Sequence, residues 1–378
     1  MNGVPFPRGV DGLTGDWLTS VLHSAERLSA PVGVESFKPE RIGEGVGMTS
    51  YLYRVHLTYE THEGGSGALR HAEGSAPKTV ILKFATDDPT TRSMIDSLSL
   101  YQREVRFYAE LSEGNPFRIP FCYLAQQATD STDFVLVLED VGALSAIDQL
   151  VGCTWEQSVL AVQTVAGFHA KWWEHAALEG LSETFPPLSL PGYKVMLPYL
   201  FGVGLEFLKT LLPELISPAI ATFAEQWGAY CPAILDDIAQ PRTLCHGDWR
   251  ADNLFMDGNK MAALDFQILG IGSGLYDVAY FTSQSMEPSV RAGRDRELIA
   301  HYVEALKTHG VSIDLEVAWR QYRQALMFCF LYPVNLMSGY EAMDPRGQQL
   351  MRTLLARSAA AVEDTHAIEA LQDLPVAS

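Results

Sequence analysis

Cysteine is sparse in this sequence and forms no recognisable pairs. The five cysteines are spread from Cys122 to Cys329, and no C-x-x-C motif occurs. Disulfide frameworks and structural zinc sites use sets of cysteines at short, regular spacing, so this pattern argues against both. Buried free thiols in a reducing compartment are the simpler interpretation.

Basic residues are also few. Lysine and arginine total 27 against 46 aspartates and glutamates, which gives a formal net charge of −19. Nucleic acids and anionic membrane surfaces select for clustered lysine and arginine, so we expect neither as a partner. The acidic balance is compatible with a cationic substrate, but it describes ordinary solubility equally well.

Long apolar runs are missing as well. The longest, around Leu326–Tyr332, is interrupted by Pro333 and Asn335, whereas a membrane-spanning helix needs about 20 consecutive apolar residues. Residues Met1 to Asp11 contain no apolar core of a secretory signal. We therefore expect a cytoplasmic protein without a membrane segment.

The 378 residues, of which 47% are hydrophobic and 19% charged, suggest a globular enzyme with two lobes. The N-terminal part alternates apolar and polar residues in the manner of strands, with a short helix predicted over Thr14–Leu22 and another over Met94–Leu111. The predicted strands lie near 37–42, 50–59, 79–84 and 134–138.

Helical spacing dominates after Thr154, which forms a plausible capping box with Gln157. Further helical stretches are predicted at 199–212, 219–238, 290–309, 315–331 and 346–371. The sequence thus predicts an α+β protein with a strand-rich N-terminal lobe and a mainly helical C-terminal lobe.

The sharpest local signal is an H-x-D-x-x-x-x-N motif formed by His246, Asp248 and Asn253, followed by Asp265 after an apolar strand. Phosphoryl transfer needs a carboxylate that accepts a proton and oxygen ligands that hold Mg²⁺. Asp248 suits the first role, and Asn253 and Asp265 suit the second. A capped turn is the alternative, which the number of matched positions disfavours.

This segment resembles the catalytic loop of the aminoglycoside phosphotransferase, choline kinase and ecdysteroid-kinase-like group, which are relatives of protein kinases. The resemblance extends over about Val34–Tyr280. It implies a nucleotide-binding lobe with a small antiparallel sheet over residues 1–138, a hinge at 139–142, and a helical catalytic and substrate-binding lobe over 143–378. It also implies ATP and Mg²⁺ as cofactors and a small molecule with a hydroxyl group as the acceptor.

Two charged residues upstream match the family's nucleotide site. Lys83 ends an apolar strand and is similar to the lysine that pairs with the α- and β-phosphates. Glu104, on the following predicted helix, resembles its ion-pair partner, although Glu110 or Glu113 could replace it. Each residue alone is more often a solvated surface charge, but the order of the motifs favours the joint interpretation.

Backbone contacts to the nucleotide are implied at two further places. Gly43, Gly45 and Gly47 form a turn whose N–H groups could approach phosphates, although a simple hairpin turn explains them equally well. The segment from Glu139 to Val141 resembles the hinge, where the family binds adenine through backbone groups.

Other polar residues surround the motif. Arg250 stands where protein kinases have a lysine that reaches the γ-phosphate. Its guanidinium could neutralise the charge that develops on the transferred phosphoryl group. An ion pair between Arg250 and Asp252 is an equally good interpretation. We interpret His169 and His246 as supports of the loop, and Asp277 resembles the family aspartate that binds loop backbone.

The interval between Asp265 and Asp277 leaves no room for a protein-kinase activation segment, and no Ala-Pro-Glu motif occurs. A protein substrate is therefore disfavoured. A bulky alcohol, an antibiotic or a choline-like molecule stays open as acceptor, and the aromatic content of the C-terminal part favours the bulky alcohol. Gln267, which stands where protein kinases have glycine, suggests the alternative of a nucleotide-binding pseudokinase that acts as an interaction module.

Overall fold

The computed structural model describes residues 6–29, 31–43, 49–60 and 76–374. The chain divides into two compact units. The first comprises Met1–Gly114 and Ile119–Leu144, and the second comprises Asn115–Arg118 and Ser145–Ser378. The sheet lies in the first unit and most helices in the second, which confirms the predicted α+β class.

An antiparallel sheet forms the first unit. Its strands are β1 (Val34–Ile42), β2 (Ser50–Tyr59), β3 (Thr79–Ala85), β4 (Cys122–Gln127) and β5 (Phe134–Glu139), in the spatial order β1-β2-β3-β5-β4. Val80, Leu82 and Phe84 alternate along β3 and enter the core of this unit, as the period of a strand requires. β4 was not predicted from the sequence, because its segment CYLAQQ ends in two glutamines. In the structure this strand is half-buried.

Three helices accompany this sheet in the described residues: α1 (Gly15–Ser24), α2 (Pro89–Ser97) and α3 (Leu100–Arg106). The single helix predicted over Met94–Leu111 is wrong, because the chain breaks at Ser99, whose φ of 54° is left-handed. The Arg103 guanidinium donates to the Leu98 carbonyl at 2.6 Å and so satisfies the end of α2. A π-helical turn at Phe107–Leu111 then continues α3.

Helices predominate in the second unit. They are α4 (Trp155–Trp172), α5 (Leu178–Leu181), α6 (Pro191–Leu211), α7 (Pro218–Asp237), α8 (Leu275–Ser285), α9 (Pro288–Arg291), α10 (Asp295–Thr308), α11 (Leu315–Cys329), α12 (Leu331–Asn335) and α13 (Pro345–Asp364). Thr154 and Gln157 form the predicted capping box at the start of α4. Helix α13 ends at Asp364, and a 3₁₀ helix over Ala367–Asp373 follows it.

Short strands of the second unit frame the H-x-D motif. They are β6 (Ser145–Ala146), β7 (Thr243–Cys245), β8 (Leu254–Asp257), β9 (Lys260–Ala263) and β10 (Gly270–Gly272). The motif connects β7 to β8, and Asp265 follows β9. Because β8 and β9 pair antiparallel, Asn253 and Leu264 face each other across the hairpin, and the Leu264 N–H donates to the Asn253 carbonyl at 3.0 Å.

All five cysteines lie in the described residues, and all are free. Within the part of the chain that the structure describes, no helix has both the length and the apolar character that crossing a bilayer requires. The cytoplasmic location stays a prediction.

Helices α6 and α12 approach closely at a glycine. A Cβ atom on Gly204 would lie 2.1 Å from the Val334 carbonyl oxygen, whereas a Cβ on Gly202 would meet nothing within 4 Å. Gly204 is buried and Gly202 is exposed on the same helix. The absence of a side chain at position 204 therefore allows this contact between helices.

We predict opposite effects for alanine at these two glycines. Gly204→Ala should lower the free energy of unfolding by about 1–3 kcal/mol, because the backbone of α12 must move to admit the methyl group. Gly202→Ala should leave it unchanged or raise it by up to ~1 kcal/mol, because alanine favours the helix. Urea unfolding followed by circular dichroism measures both, and equal effects of the two variants would contradict the close contact.

Candidate active site

A buried aspartate holds the start of the H-x-D loop. Asp277, on α8, is fully buried, and its carboxylate accepts the backbone N–H of His246 at 2.6 Å and of Gly247 at 2.9 Å. The His169 ring approaches Asp277 at 3.0 Å through Nε2, and the Tyr302 hydroxyl lies 2.9 Å from Nδ1. This network fixes the loop backbone from within the core of the second unit.

Gly247 is required by the path of the loop. Its φ is 85°, and a Cβ at this position would lie 2.2 Å from the Ile268 carbonyl oxygen. Only glycine adopts this backbone conformation without steric cost. The glycine between His246 and Asp248 thus lets the loop pack against the segment that leads into β10.

His246 supports the loop through both ring nitrogens. Nε2 lies 3.1 Å from the Leu264 carbonyl oxygen, and Nδ1 lies 3.3 Å from the Asp248 backbone nitrogen. A carbonyl only accepts, so the ring carries its proton on Nε2 and accepts the Asp248 N–H at Nδ1. Burial lowers the pKa of His246, which keeps the ring neutral. This geometry gives His246 a structural role.

Asp248 is buried, with a side chain surrounded by donors. Its Oδ1 accepts the Tyr280 hydroxyl at 2.9 Å and lies 3.0 Å from Arg250 Nε. Its Oδ2 accepts Asn253 Nδ2 at 2.8 Å. Burial alone would raise the pKa of Asp248, but the Arg250 charge and the Tyr280 hydrogen bond outweigh it and hold the pKa below its ordinary value. The carboxylate is therefore ionised and able to accept a proton.

Arg250 contacts both aspartates of the loop. Besides the contact with Asp248, its Nη1 lies 3.7 Å from Asp252 Oδ2. The Asp248 carboxylate raises the pKa of Arg250, so the guanidinium carries its charge beside the ionised Asp248. Contact between Arg250 and a γ-phosphate stays a prediction.

Two oxygen donors suit a magnesium ion. Asn253 gives its amide N–H₂ to the Asp248 carbonyl and to Oδ2, so its amide oxygen accepts nothing from the described residues. Asp265 has a left-handed φ of 65°, and the Gln267 amide donates to its carboxylate at 3.2 Å. Carboxylate and amide oxygens are the hard ligands that Mg²⁺ prefers. The residue that departs from the protein-kinase pattern, Gln267, thus orients the predicted metal ligand.

Another cluster in the described residues has the spacing of a metal site. The ligand atoms of His169, Cys245 and Asp277 lie within 4.8 Å of one another. However, His169 and Asp277 are engaged with Tyr302 and with loop backbone, and burial raises the pKa of Cys245 well above its usual value. A protonated thiol is a poor ligand, so we interpret the cluster as part of the hydrogen-bond network.

The first unit brings together Lys83 and Glu104. The Lys83 ammonium lies 2.7 Å from the Glu104 carboxylate, and both side chains are buried. Glu110, an alternative partner in the sequence, instead pairs with Arg106 at 2.9 Å. A buried ion pair with this geometry holds the ammonium in one position.

The predicted glycine-rich turn is described only at its start. Gly43 has a φ of 71°, in the left-handed region that favours glycine. Gly45 and Gly47 lie outside the described residues, so their contact with phosphates stays a prediction.

The predicted hinge begins at Glu139, the last residue of β5. The Glu139 backbone N–H donates to the Phe121 carbonyl at 2.8 Å, and its carboxylate accepts the Phe121 N–H at 3.1 Å. The Val141 carbonyl accepts the Leu144 N–H at 2.8 Å. These contacts order the segment, and adenine binding at Glu139 and Val141 stays a prediction.

A second set of hydrogen bonds that holds the loop was not predicted from the sequence. The Gln149 N–H donates to Asp252 Oδ1 at 3.2 Å, and the Asp252 N–H donates to Gln149 Oε1 at 3.1 Å. Arg357 of α13 donates to the Gln149 carbonyl at 2.6 Å and to the Gln284 carbonyl at 2.9 Å. These residues are far apart in sequence, so no local pattern indicates them.

A cluster of tyrosines next to Asp248 was also missed. Tyr276 and Tyr332 hydrogen-bond to each other through their hydroxyls, and Tyr276 donates to the Gly247 carbonyl at 3.1 Å. The rings of Tyr280 and Tyr332 pack edge to face at 4.8 Å. One signal was present: Asp277 and Tyr280 are three residues apart on a helix and therefore share a face.

Helix α6 exposes a row of apolar side chains. It packs against α12, the helix that carries Tyr332. The exposed large apolar residues of α6 are Val195, Met196, Tyr199, Leu200, Val203 and Phe207. An exposed apolar stripe of this length is unusual on a protein surface and marks this part of the second unit as a candidate contact area for an apolar molecule.

Comparison with known proteins identifies the family. The model of the ecdysteroid kinase-like family matches residues 44–314, whereas no curated protein matches the sequence. Among solved structures, a provisionally assigned aminoglycoside phosphotransferase from Ralstonia eutropha is 14% identical, with 96% of this chain and 99% of that chain covered and a TM-score of 0.53. Choline kinase from Cryptosporidium parvum is 9% identical, with coverage of 95% and 96% and a TM-score of 0.52.

A third structure, the GDP and kanamycin complex of APH(2″)-IIIa, is 14% identical, with 94% of this chain and 99% of that chain covered and a TM-score of 0.51. Identities this low show a common fold, which confirms the predicted kinase-like architecture. The family model spans well over half of the chain and confirms the resemblance seen in the catalytic loop. The chain therefore belongs to the ecdysteroid kinase-like family of phosphotransferases.

Proposed function

We propose that this protein is an ATP- and Mg²⁺-dependent kinase that transfers the γ-phosphoryl group to a hydroxyl of a small acceptor. The observation that carries the proposal is the ionised Asp248, whose carboxylate lies between Tyr280, Arg250 and Asn253. The Asn253 carbonyl also accepts the N–H of Leu264, which precedes Asp265 in the chain. The same arrangement provides a base and two metal ligands in one loop and hairpin.

Asp248 accepts the proton of the acceptor hydroxyl in this mechanism. The attacking oxygen forms its bond to the γ-phosphorus as the bond from that phosphorus to the β–γ bridging oxygen breaks, so the products are a phosphate ester and ADP. Arg250, charged and adjacent to the base, orients the carboxylate and can face the transferred group. The low pKa of Asp248 keeps it unprotonated before the reaction.

Asn253 and Asp265 would hold the magnesium ion, the first through its amide oxygen and the second through its carboxylate. When bound, Mg²⁺ supplies positive charge that offsets the negative charge of the phosphates. Gln267 keeps the Asp265 carboxylate oriented by its hydrogen bond at 3.2 Å. This contact gives Gln267 a function within a kinase and weakens the pseudokinase interpretation that its presence suggested.

Lys83 would bind the α- and β-phosphates, with Glu104 fixing the position of its ammonium. The buried pair at 2.7 Å supports this assignment. The GDP held by the structurally similar APH(2″)-IIIa also supports a nucleotide as the phosphoryl donor. ATP is the donor we propose, and GTP is tested beside it.

The acceptor is proposed to be a bulky, largely apolar alcohol. The groups clustered beside Asp248 on α8 and α12 are the phenols Tyr276, Tyr280 and Tyr332, so aromatic rings pack beside the base rather than the acidic side chains that a polycationic aminoglycoside requires. The exposed apolar stripe of α6 extends this character. Aromatic rings also bind quaternary ammonium groups, so choline-like molecules belong in the test.

A panel assay tests the function directly. The protein is incubated with Mg²⁺ and either ATP or GTP, together with sterols and other apolar alcohols, macrolides, aminoglycosides or choline analogues, and nucleoside diphosphate release is measured. We expect release that depends on an apolar alcohol. A signal with choline or an aminoglycoside alone would overturn the acceptor class and keep the kinase. Silence across the panel, with ATP still bound, would favour the pseudokinase.

We predict that Asp248→Asn lowers kcat by roughly 10²-fold or more, because the amide cannot accept the hydroxyl proton. The affinity for Mg²⁺–ATP should stay within a few-fold, since Asp248 is not assigned to the nucleotide. Asp16→Asn, which changes an exposed aspartate on α1 in the same way, is the matched control and should leave kcat unchanged. Turnover of Asp248→Asn near that of the control would refute the assigned base.

We also predict that Lys83→Met weakens Mg²⁺–ATP binding by at least about tenfold, because the phosphates lose a charged partner worth more than 1.4 kcal/mol. Since this variant leaves Glu104 buried without its partner, Lys83→Met/Glu104→Gln provides a version without an unpaired charge. Isothermal titration calorimetry measures both. Affinity equal to wild type in the double variant would show that Lys83 does not bind the nucleotide.

A further inference from the structure

The two oxygens of the Asp248 carboxylate have different surroundings. Oδ1 accepts the Tyr280 hydroxyl at 2.9 Å and lies 3.0 Å from Arg250 Nε. Oδ2 has one partner among the described residues, Asn253 Nδ2 at 2.8 Å. A carboxylate oxygen offers two lone pairs in its plane. Oδ1 thus accepts the Tyr280 hydroxyl and lies against the Arg250 guanidinium, whereas Oδ2 has the Asn253 amide as its partner in the described residues and keeps one lone pair for a further proton.

Tyr280 is itself held firmly. It lies on α8 one turn after Asp277, so one helix fixes both the backbone and the side chain of the loop. Its ring packs edge to face on Tyr332 at 4.8 Å and lies 6.3 Å from the Tyr276 ring. Burial raises the pKa of Tyr280 well above its usual value, so the phenol stays protonated and can only donate to the charged carboxylate.

The rotation of an aspartate carboxylate about χ2 is broad and only weakly restricted by its own covalent geometry. A base must nevertheless present one oxygen toward the acceptor hydroxyl at hydrogen-bond distance. A fixed donor on the opposite oxygen removes this rotational freedom before the substrate binds. The Tyr280 hydroxyl occupies this position in the second unit.

We propose that Tyr280 is a positioning residue for the base, and that Oδ2 of Asp248 is the oxygen that receives the acceptor proton. This inference rests on the proposed phosphotransferase function. In the transfer step the proton moves from the acceptor hydroxyl to Oδ2, while the acceptor oxygen bonds to the γ-phosphorus and ADP leaves. The Tyr280 proton stays on its phenol throughout, hydrogen-bonded to Oδ1.

The alternative is that Tyr280 only fills the core, in which case phenylalanine would serve as well. Tyr280→Phe keeps the ring and its contacts with Tyr332 and Tyr276 and removes only the hydroxyl. Tyr322→Phe is the matched control, because Tyr322 is a buried tyrosine that hydrogen-bonds to Thr282 of the same helix at 2.8 Å. Its hydroxyl also donates to Asp295 at 2.7 Å, and no hydrogen bond joins it to the loop in the described residues.

We expect Tyr280→Phe to lower kcat roughly tenfold or more, the effect of losing a hydrogen bond to a charged group, with the KM for ATP unchanged. Tyr322→Phe should keep kcat within about twofold of wild type. Circular dichroism and thermal unfolding of both variants verify that each is folded. A kcat for Tyr280→Phe within about twofold of wild type would overturn the positioning role.

A double-variant cycle provides a readout that a structural role would not change. If Tyr280 acts through Asp248, Tyr280→Phe should have no further effect on the residual turnover of Asp248→Asn. Equal fold-losses in the two backgrounds would show that Tyr280 acts independently of the base and would overturn the proposal. If the wild type is active, a near-normal kcat of Tyr280→Phe or equal fold-losses in the two backgrounds would refute this inference alone. If the wild type turns over no acceptor, the proposed function and this inference are refuted together.

Discussion

The Asp277 carboxylate is the interaction on which the rest of the site depends. It lies in the core, where an unpaired charge is costly, and it is satisfied by two backbone N–H groups of the loop and by His169. Because the donors belong to consecutive residues, the loop leaves β7 in one direction only. Gly247 permits that direction through its left-handed backbone and its close approach to Ile268.

The positions of the other site residues follow from the hydrogen bonds that Asp277 makes with the loop. The loop runs from Asp248 into a 3₁₀ turn over Ala251–Asn253, and the β8–β9 hairpin then returns the chain so that the Leu264 N–H donates to the Asn253 carbonyl. His246 reaches the Leu264 carbonyl from the other side. The Leu264–Asn253 backbone hydrogen bond and the side chains of His246 and Asn253 thereby connect the two predicted metal ligands to the predicted base.

Much of this arrangement was visible in the sequence because the motif is contiguous. The H-x-D-x-x-x-x-N spacing and Asp265 lie within one loop and one hairpin, and Lys83 and Glu104 lie on adjacent elements. Contacts between distant segments could not be predicted: Tyr280 with Asp248, and Gln149 with Asp252, depend on how helices pack. The break at Ser99 and the strand β4 were missed because the hydrogen bond from the Arg103 side chain to the Leu98 carbonyl and the pairing of β4 with β5 override weak local patterns.

Arg357 makes the H-x-D loop dependent on the order of synthesis. Its buried guanidinium, on α13, donates to the carbonyls of Gln149, Gln284 and Leu150, and the Gln149 N–H in turn donates to Asp252. All of the predicted catalytic residues leave the ribosome before Arg357 does. A growing chain therefore contains the complete motif while the hydrogen bonds from Arg357 to Gln149, Leu150 and Gln284 are still missing, and these form when α13 packs.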